Sequence, residues 1–173
     1  MGRTSTRRQE ILDTATHLFA TRGYGSVSIA DLADALSTSK AAIYYHFNFK
    51  QELLATIVTP LIDDLRVCLA GNQPTPEALL REYIDALLGH REALQILMGD
   101  VGAVMATPIG KTIWENHERF VERLRDDDGS LPSLIKAAAV SGAVHAVGGW
   151  SLRDEPPEAI RSTLLETCLK LLS

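Results

Sequence analysis

Residues 39–50 read Ser-Lys-Ala-Ala-Ile-Tyr-Tyr-His-Phe-Asn-Phe-Lys. Lys40, Ala41 and Ala42 open the stretch, Tyr44, Tyr45 and His46 stand side by side, and Lys50 closes it. Ammonium, phenol and imidazole groups in that order suit phosphate oxygens, as do the unpaired N–H groups where a helix starts. Small Ala41 and Ala42 can approach thymine methyl groups but cannot form the bidentate hydrogen bonds that discriminate bases most strongly. Exposing two tyrosines and a histidine together is a poor choice for a helix with nothing to bind. The plainer reading is that both tyrosines pack against the rest of the chain.

Such a surface needs a rigid mount. Ile11, Leu12, Ala15, Leu18 and Phe19 repeat at helical spacing until Arg22-Gly23 ends the run. Ser28-Ile29-Ala30-Asp31 has the form of a capping box, and Ile29, Leu32, Ala33 and Leu36 give the next short helix a buried face. After Leu36-Ser37-Thr38-Ser39, Ser39 caps a third helix, in which Ile43 and Phe47 are one turn apart and point inward. Two short helices across such a turn make a helix-turn-helix, the arrangement that sends its second helix into the DNA major groove. Asn48-Phe49-Lys50-Gln51 resembles another capping box. Beyond it a long fourth helix carries Leu53, Leu54, Ile57, Val58, Leu61, Ile62 and Leu65, with Pro60 expected to bend it or weaken one turn.

Further helices are expected from Thr75-Pro76, over Ala93–Met105, from Thr107-Pro108, over Ser133–Gly148 and over Pro157–Leu172, with the first two of the three prolines in the favoured first-turn position. No alternating strand pattern of useful length occurs. The expected fold is all-α, about nine helices, with a helix-turn-helix head at 1–49 and a helical body at 50–173. Net charge is −5, yet residues 1–50 carry six Lys/Arg against four Asp/Glu and the remainder eleven against eighteen. A mildly basic head on an acidic body suggests two tasks in one chain.

Arg8-Gln9-Glu10-Ile11-Leu12, Leu18-Phe19, Gly23-Tyr24, Ser28-Ile29, Ile43-Tyr44-Tyr45-His46-Phe47 and Lys50-Gln51-Glu52-Leu53-Leu54 together resemble the TetR family of bacterial transcriptional regulators over about residues 7–54. The resemblance implies a homodimer whose two heads bind a palindromic double-stranded DNA operator, usually repressing a promoter. It implies a C-terminal domain that binds a small effector and dimerises through its last two long helices. By position, base contacts fall to Lys40, Ala41, Ala42 and Tyr45. Phosphate contacts fall to Tyr44, His46 and Lys50, with Ser28 and Ser39 at helix starts facing the backbone. Specificity is then expected to rest on Lys40, Tyr45 and DNA shape. The family's usual Gly-Val in the turn is Ser37-Thr38 here. If the left-handed backbone persists, Ser37 costs up to ~1–2 kcal/mol, or else the turn is rebuilt.

In the body, Tyr83, Leu87, His90, Met98, Met105, Trp114, His117 and Phe120 are the candidates to line an effector cavity, with ordinary core packing as the bland alternative. Few aromatics remain there for a cage around bulky cations, so the expected effector is compact and largely apolar with one or two polar groups. Val140, Val144, Val147, Leu164, Cys168 and Leu171 are the candidates for the dimer interface, with packing inside one chain as the alternative.

Other chemistries are poorly supported. Glu115, His117 and Glu118 lack the H-E-x-x-H spacing, and there is no nucleophile elbow, phosphate loop or dinucleotide fingerprint. The expectation is no enzyme, no metal and no cofactor. Cys68 and Cys168 lie far apart without a C-x-x-C. Asp126-Asp127-Asp128 reads as a solvated loop. Met1-Gly2-Arg3-Thr4-Ser5-Thr6 fits a myristoylation pattern by chance and reads better as a flexible basic arm. The longest charge-free stretch, Ala137–Leu152, has 16 residues, short of a spanning helix. No secretory segment follows Met1, so a cytoplasmic protein without membrane association is expected. The alternatives are an activator, an effector-independent DNA binder, or a sensor or scaffold that has lost DNA binding.

Overall fold

The computed structural model describes residues 2–126, 128–149, 152 and 154–173, with side chains from Thr6 onward. Arg3 in the basic arm, Asp127 in the acidic loop and Trp150 therefore fall wholly or in their side chains outside the described residues. The described chain is 79 % helical and has ten α-helices and no strands. They are α1 (Gly2–Arg22), α2 (Ile29–Ala35), α3 (Lys40–Tyr44), α4 (Lys50–Ala70), α5 (Pro76–Gly89), α6 (Arg91–Gly99), α7 (Val101–Met105), α8 (Pro108–Leu124), α9 (Leu131–His145) and α10 (Pro157–Leu172). The helix backbone already begins at Gly2, so the segment expected to be a flexible arm continues into α1.

Helices α1–α3 form the head around Ile11, Ala15, Phe19, Leu32, Ile43 and Phe47, all essentially buried. Ser28 caps α2 with a full capping box. Its N–H and hydroxyl donate to Asp31 Oδ2 (2.7 and 2.5 Å), and its Oγ accepts the Asp31 N–H (3.2 Å). These bonds hold the Asp31 carboxyl down at about 2, with a smaller contribution from the Arg22 guanidinium. The second expected capping box is not formed. Phe49 caps α4 without a side-chain bond, and Glu52 reaches back to accept the Asn48 N–H (2.8 Å).

α4 runs unbroken through Pro60 and carries the chain from head to body, burying Leu53, Leu54, Val58, Leu61, Ile62 and Leu65 on one side. Its last carbonyls, at Leu69 and then at Gly71, accept from Arg123 (2.9 and 2.8 Å), which ties α8 to the end of α4. α1 also packs on α6, so head and body meet a second time. At that meeting Gly23 takes φ +84° and ends α1, and the Gly25 N–H donates to Asp100 Oδ2 (2.6 Å). A Cβ on Gly25 would stand 2.9 Å from that carboxylate oxygen, so only glycine fits without displacing it.

The single helix expected over 93–105 is two. Asp100 ends α6 and starts α7 at φ −150°, ψ 58°, and its Oδ1 accepts the Ala103 N–H (3.4 Å). Asp competes for backbone N–H groups and so favours a cap over a helix interior, and flanking Gly99 and Gly102 do nothing to resist the break.

The residues expected in a dimer stripe are divided between the interior and the surface. Val140, Val144, Val147 and Cys168 are fully buried inside this one chain, where α9 packs on α8 and α10 and the turn holding Val147 packs on α6. Leu164 is half-buried and Leu171 is exposed. The apolar side chains α9 leaves in solvent lie on its other face, at Leu131, Leu134, Ile135, Ala138, Ala139 and Gly142, with Ile135 58 % exposed. Among the described residues, the segment Leu131–Gly148 is long and apolar enough by length and composition to cross a membrane. It packs on α8 and α10 along one face and leaves the other in solvent.

Candidate functional site

α3 is a short wedge. Ser39 Oγ accepts the Ala42 N–H (3.2 Å) and starts the helix, and Ile43 and Phe47 are 0 % and 1 % exposed and hold it to the head. Arg8 covers the Phe47 ring, with its guanidinium carbon 4.6 Å from the ring centre. The α-helix ends at Tyr44, earlier than the spacing predicts. The Phe47 N–H still reaches Ile43 O (3.0 Å), so Tyr45 and His46 continue the winding as a tight turn. Lys40, Ala41, Tyr44 and Tyr45 face solvent, Tyr44 at 48 % and Tyr45 at 80 % exposure, and Ala42 and His46 are partly covered. Tyr45 meets His46 edge to face, ring centres 5.1 Å apart.

The turn before α3 keeps the left-handed backbone: Ser37 has φ +49°, and the Thr38 N–H closes it on Ala33 O (2.9 Å). The turn is thus strained rather than rebuilt, at a cost of about 1–2 kcal/mol.

Two of the expected phosphate donors are engaged elsewhere. The Lys50 ammonium donates to Tyr24 O and lies 4.1 Å from the Tyr24 ring centre, turned into the seam between head and body. Burial pulls its pKa down, against the opposing charges of Asp100 and Asp31. The Ser28 hydroxyl is committed to Asp31. Exposed Phe49 (69 %), at the start of α4, escaped the sequence reading. A large aromatic at an N-cap that cannot cap was the available signal.

The body holds a cavity of about 390 Å³ between α4, α5, α6, α7, α8 and α9. Tyr83, Leu87, Met98, Met105, Trp114 and His117 line it. His90 does not: its Nε2 lies 2.8 Å from Asp64 Oδ2, beside an open groove near α1. Phe120 does not either, being fully buried and stacked on Tyr83 at 3.7 Å between ring centres. Both were expected in the lining from the family resemblance and their place on these helices, which cannot tell a wall from what lies behind it. The lining also includes Asn116, Ser141 and His145, which were not among the expected wall residues. His145 Nδ1 sits 2.7 Å from Ser141 O, and Ser141 Oγ is 3.2 Å from His117 Nδ1. Burial pulls the His145 pKa down, more than its bond to Ser141 O raises it, and His117 lowers it further. Asn116 spends its amide on Ile62 O (3.2 Å). Among the described residues no cluster of three His, Cys, Asp or Glu is placed to hold a metal ion.

A buried-anchor wedge on a three-helix head, carried by a long helix into an all-α body with an apolar cavity, is a helix-turn-helix arrangement joined to a helical body. Residues 11–57 match the family model for bacterial regulatory proteins of the tetR family. The HTH-type transcriptional repressor KstR2 of Rhodococcus jostii is 31 % identical over 109 residues, covering 59 % of this chain and only 53 % of that repressor's length. The HTH-type transcriptional repressor AcnR of Corynebacterium diphtheriae is 27 % identical over 95 % of this chain and 78 % of its own length. The crystal structure of a TetR-family transcriptional regulator from Bordetella parapertussis shares the fold, with a TM-score of 0.70 at 18 % identity over 94 % of this chain and 93 % of its own. Over residues 11–57 the chain is thus similar to bacterial regulatory proteins of the tetR family, and the relatives it matches in sequence are named as transcriptional repressors.

Proposed function

We propose that the chain is a repressor that binds a palindromic operator as a homodimer and is released by a small effector in the body cavity. One observation carries the reading: Lys40, Ala41, Tyr44 and Tyr45 face outward from a wedge whose Ile43 and Phe47 are buried. On this reading Lys40 and Tyr45 reach base edges beside Ala41 and Ala42, while Tyr44, His46 and the Ser39 hydroxyl meet phosphates. Lys50 and Ser28 contribute through the backbone they position. Residues 1–49 act as the DNA-binding unit and 50–173 as the regulatory one, in the cytoplasm.

A second copy is the occupant of the exposed α9 face. Leu131, Ile135, Ala138, Ala139 and Gly142 form one apolar stripe, and a stripe of that kind in water favours a partner. Its small residues allow a helix to come close. Dimerisation sets two wedges to a spacing near the roughly 34–36 Å between successive major grooves.

The effector acts by population shift, binding better to a state with the wrong head spacing. Two links can convey this: α4, and the Asp100–Gly25 hydrogen bond, whose acceptor stands between the cavity residues Met98 and Val101. Fluorescence anisotropy with the DNA upstream of the chain's own coding sequence tests the proposal. Affinity should fall by on the order of 10³ between roughly 50 and 200 mM salt, and Tyr45→Ala should weaken the specific sequence more than random DNA. Equal loss on both, or no DNA binding at all, refutes it.

A further inference from the structure

Apart from Asn116, the cavity's polar groups form one chain whose protons can be assigned. His145 Nδ1 lies 2.7 Å from Ser141 O, and a carbonyl only accepts, so Nδ1 carries the proton. Its Nε2 is then the lone pair, and the Tyr83 hydroxyl stands 3.5 Å away as its donor, at the long limit of a hydrogen bond. Burial keeps the ring neutral, consistent with its lowered pKa. Ser141 is buried, and its Oγ lies 3.4 Å from that protonated Nδ1 and 3.2 Å from His117 Nδ1. The first partner already carries a hydrogen, so the Ser141 hydroxyl donates to His117 Nδ1. His117 therefore holds its own proton on Nε2, and this N–H has no hydrogen-bond partner among the described residues, on a ring that lines the cavity.

Apart from Asn116, whose amide donates to Ile62 O, the rest of the lining is apolar, and no Lys, Arg, Asp or Glu is part of it. A charged ligand would lose its water there without gaining a counter-ion. At the mouth, Trp114, Met98 and Val101 leave large apolar surface in solvent, which an apolar ligand would cover. A volume of about 390 Å³ is within the range of small-molecule sites.

We propose that the cavity takes an uncharged, mostly apolar molecule bearing one hydrogen-bond-accepting oxygen, such as a ketone or ester carbonyl, seated on the His117 Nε2–H. This rests on the reading of the cavity as the effector site and adds the ligand's chemical class. Ser141 and His145 act as positioning residues that set which nitrogen of His117 carries the proton.

The test uses the full chain and four probes of similar shape: benzylacetone, butylbenzene, phenylbutyrate and phenylbutylammonium, measured by calorimetry and thermal shift. Benzylacetone should bind about tenfold tighter than butylbenzene, the effect of one satisfied hydrogen bond, and tighter still than either ion. His117→Phe should bring the ketone down to the hydrocarbon's affinity. Ser141→Ala, which leaves the ring in place but frees its tautomer, should narrow the gap. The melting temperature of each variant reports that it folds. Either ion binding as well as the ketone, a ketone preference that survives His117→Phe, or no probe binding at millimolar concentration overturns the proposal. Anisotropy on the same samples without probe keeps the two readings apart. DNA binding with failed probes discards the ligand class alone, whereas the expected probe order with no DNA binding discards the regulator reading alone.

Discussion

Replacing Asp100 by alanine should separate the head from the body without unfolding either. The carboxylate makes two bonds: Oδ2 accepts the Gly25 N–H at 2.6 Å, and Oδ1 accepts the Ala103 N–H at 3.4 Å. A hydrogen bond to a charged group contributes about 1.5–3 kcal/mol, and the partly exposed setting argues for the lower end. Loss of a helix N-cap costs about 1 kcal/mol, and less here because that bond is long. The sum is about 2 kcal/mol, which corresponds to roughly a 30-fold rise in the opening equilibrium at Gly25. Amide hydrogen exchange followed by NMR reads this directly at the Gly25 N–H. The same loss should lower the melting temperature by about 4–8 °C in a chain of this size. Asp100→Asn keeps an acceptor and a capping group and should show less than half of either effect. If the Gly25 amide exchanges at the wild-type rate in Asp100→Ala while the chain remains folded, the hydrogen bond does not hold head to body, and α4 and the packing of α1 on α6 are left to do so.

Three further outcomes follow from individual residues. Ser37→Gly removes the strain of φ +49° but adds unfolded-state entropy, so a net gain of about 0.5–1 kcal/mol is expected as a melting point higher by about 1–4 °C; an unchanged or lower value refutes the strain. His145, packed against Tyr83, Ser141 and His117, has its pKa lowered by burial, so the unfolded chain takes up its proton at a higher pH than the folded one. Stability should therefore fall as pH drops below the ordinary histidine value, until the folded form is protonated too. His145→Phe should flatten that part of a urea-midpoint profile relative to the parent, and an identical profile would contradict it. Ile135→Glu on the exposed face of α9 should raise the dimer dissociation constant about 100-fold, read by sedimentation, with the monomer's helicity unchanged; an intact dimer moves the interface elsewhere.

The head was legible in the sequence because its rules are local. Ser28 and Ser39 cap, Gly23 stops a helix, and Ile43 and Phe47 recur one turn apart, each within a few residues of what it controls. Tyr44 and Tyr45 had to face outward once those two anchors faced in. Part of the cavity wall was legible too, since the family resemblance pointed to the helices on which Tyr83, Leu87, Met98, Met105, Trp114 and His117 stand.

Tertiary packing decided the rest. α9 is apolar or small around most of its circumference, so its periodicity could not say which side faces the core, and the buried side is that of Val140 and Val144. Lys50 has a long, flexible stem, and a carbonyl 26 residues earlier in the chain determines where its ammonium goes. His90 and His117 are alike as sequence, yet one lies beside Asp64 and the other beside Ser141. Spacing along one helix specifies a face. What that face meets depends on the other helices, and the chemistry of a histidine or a lysine depends on what it meets.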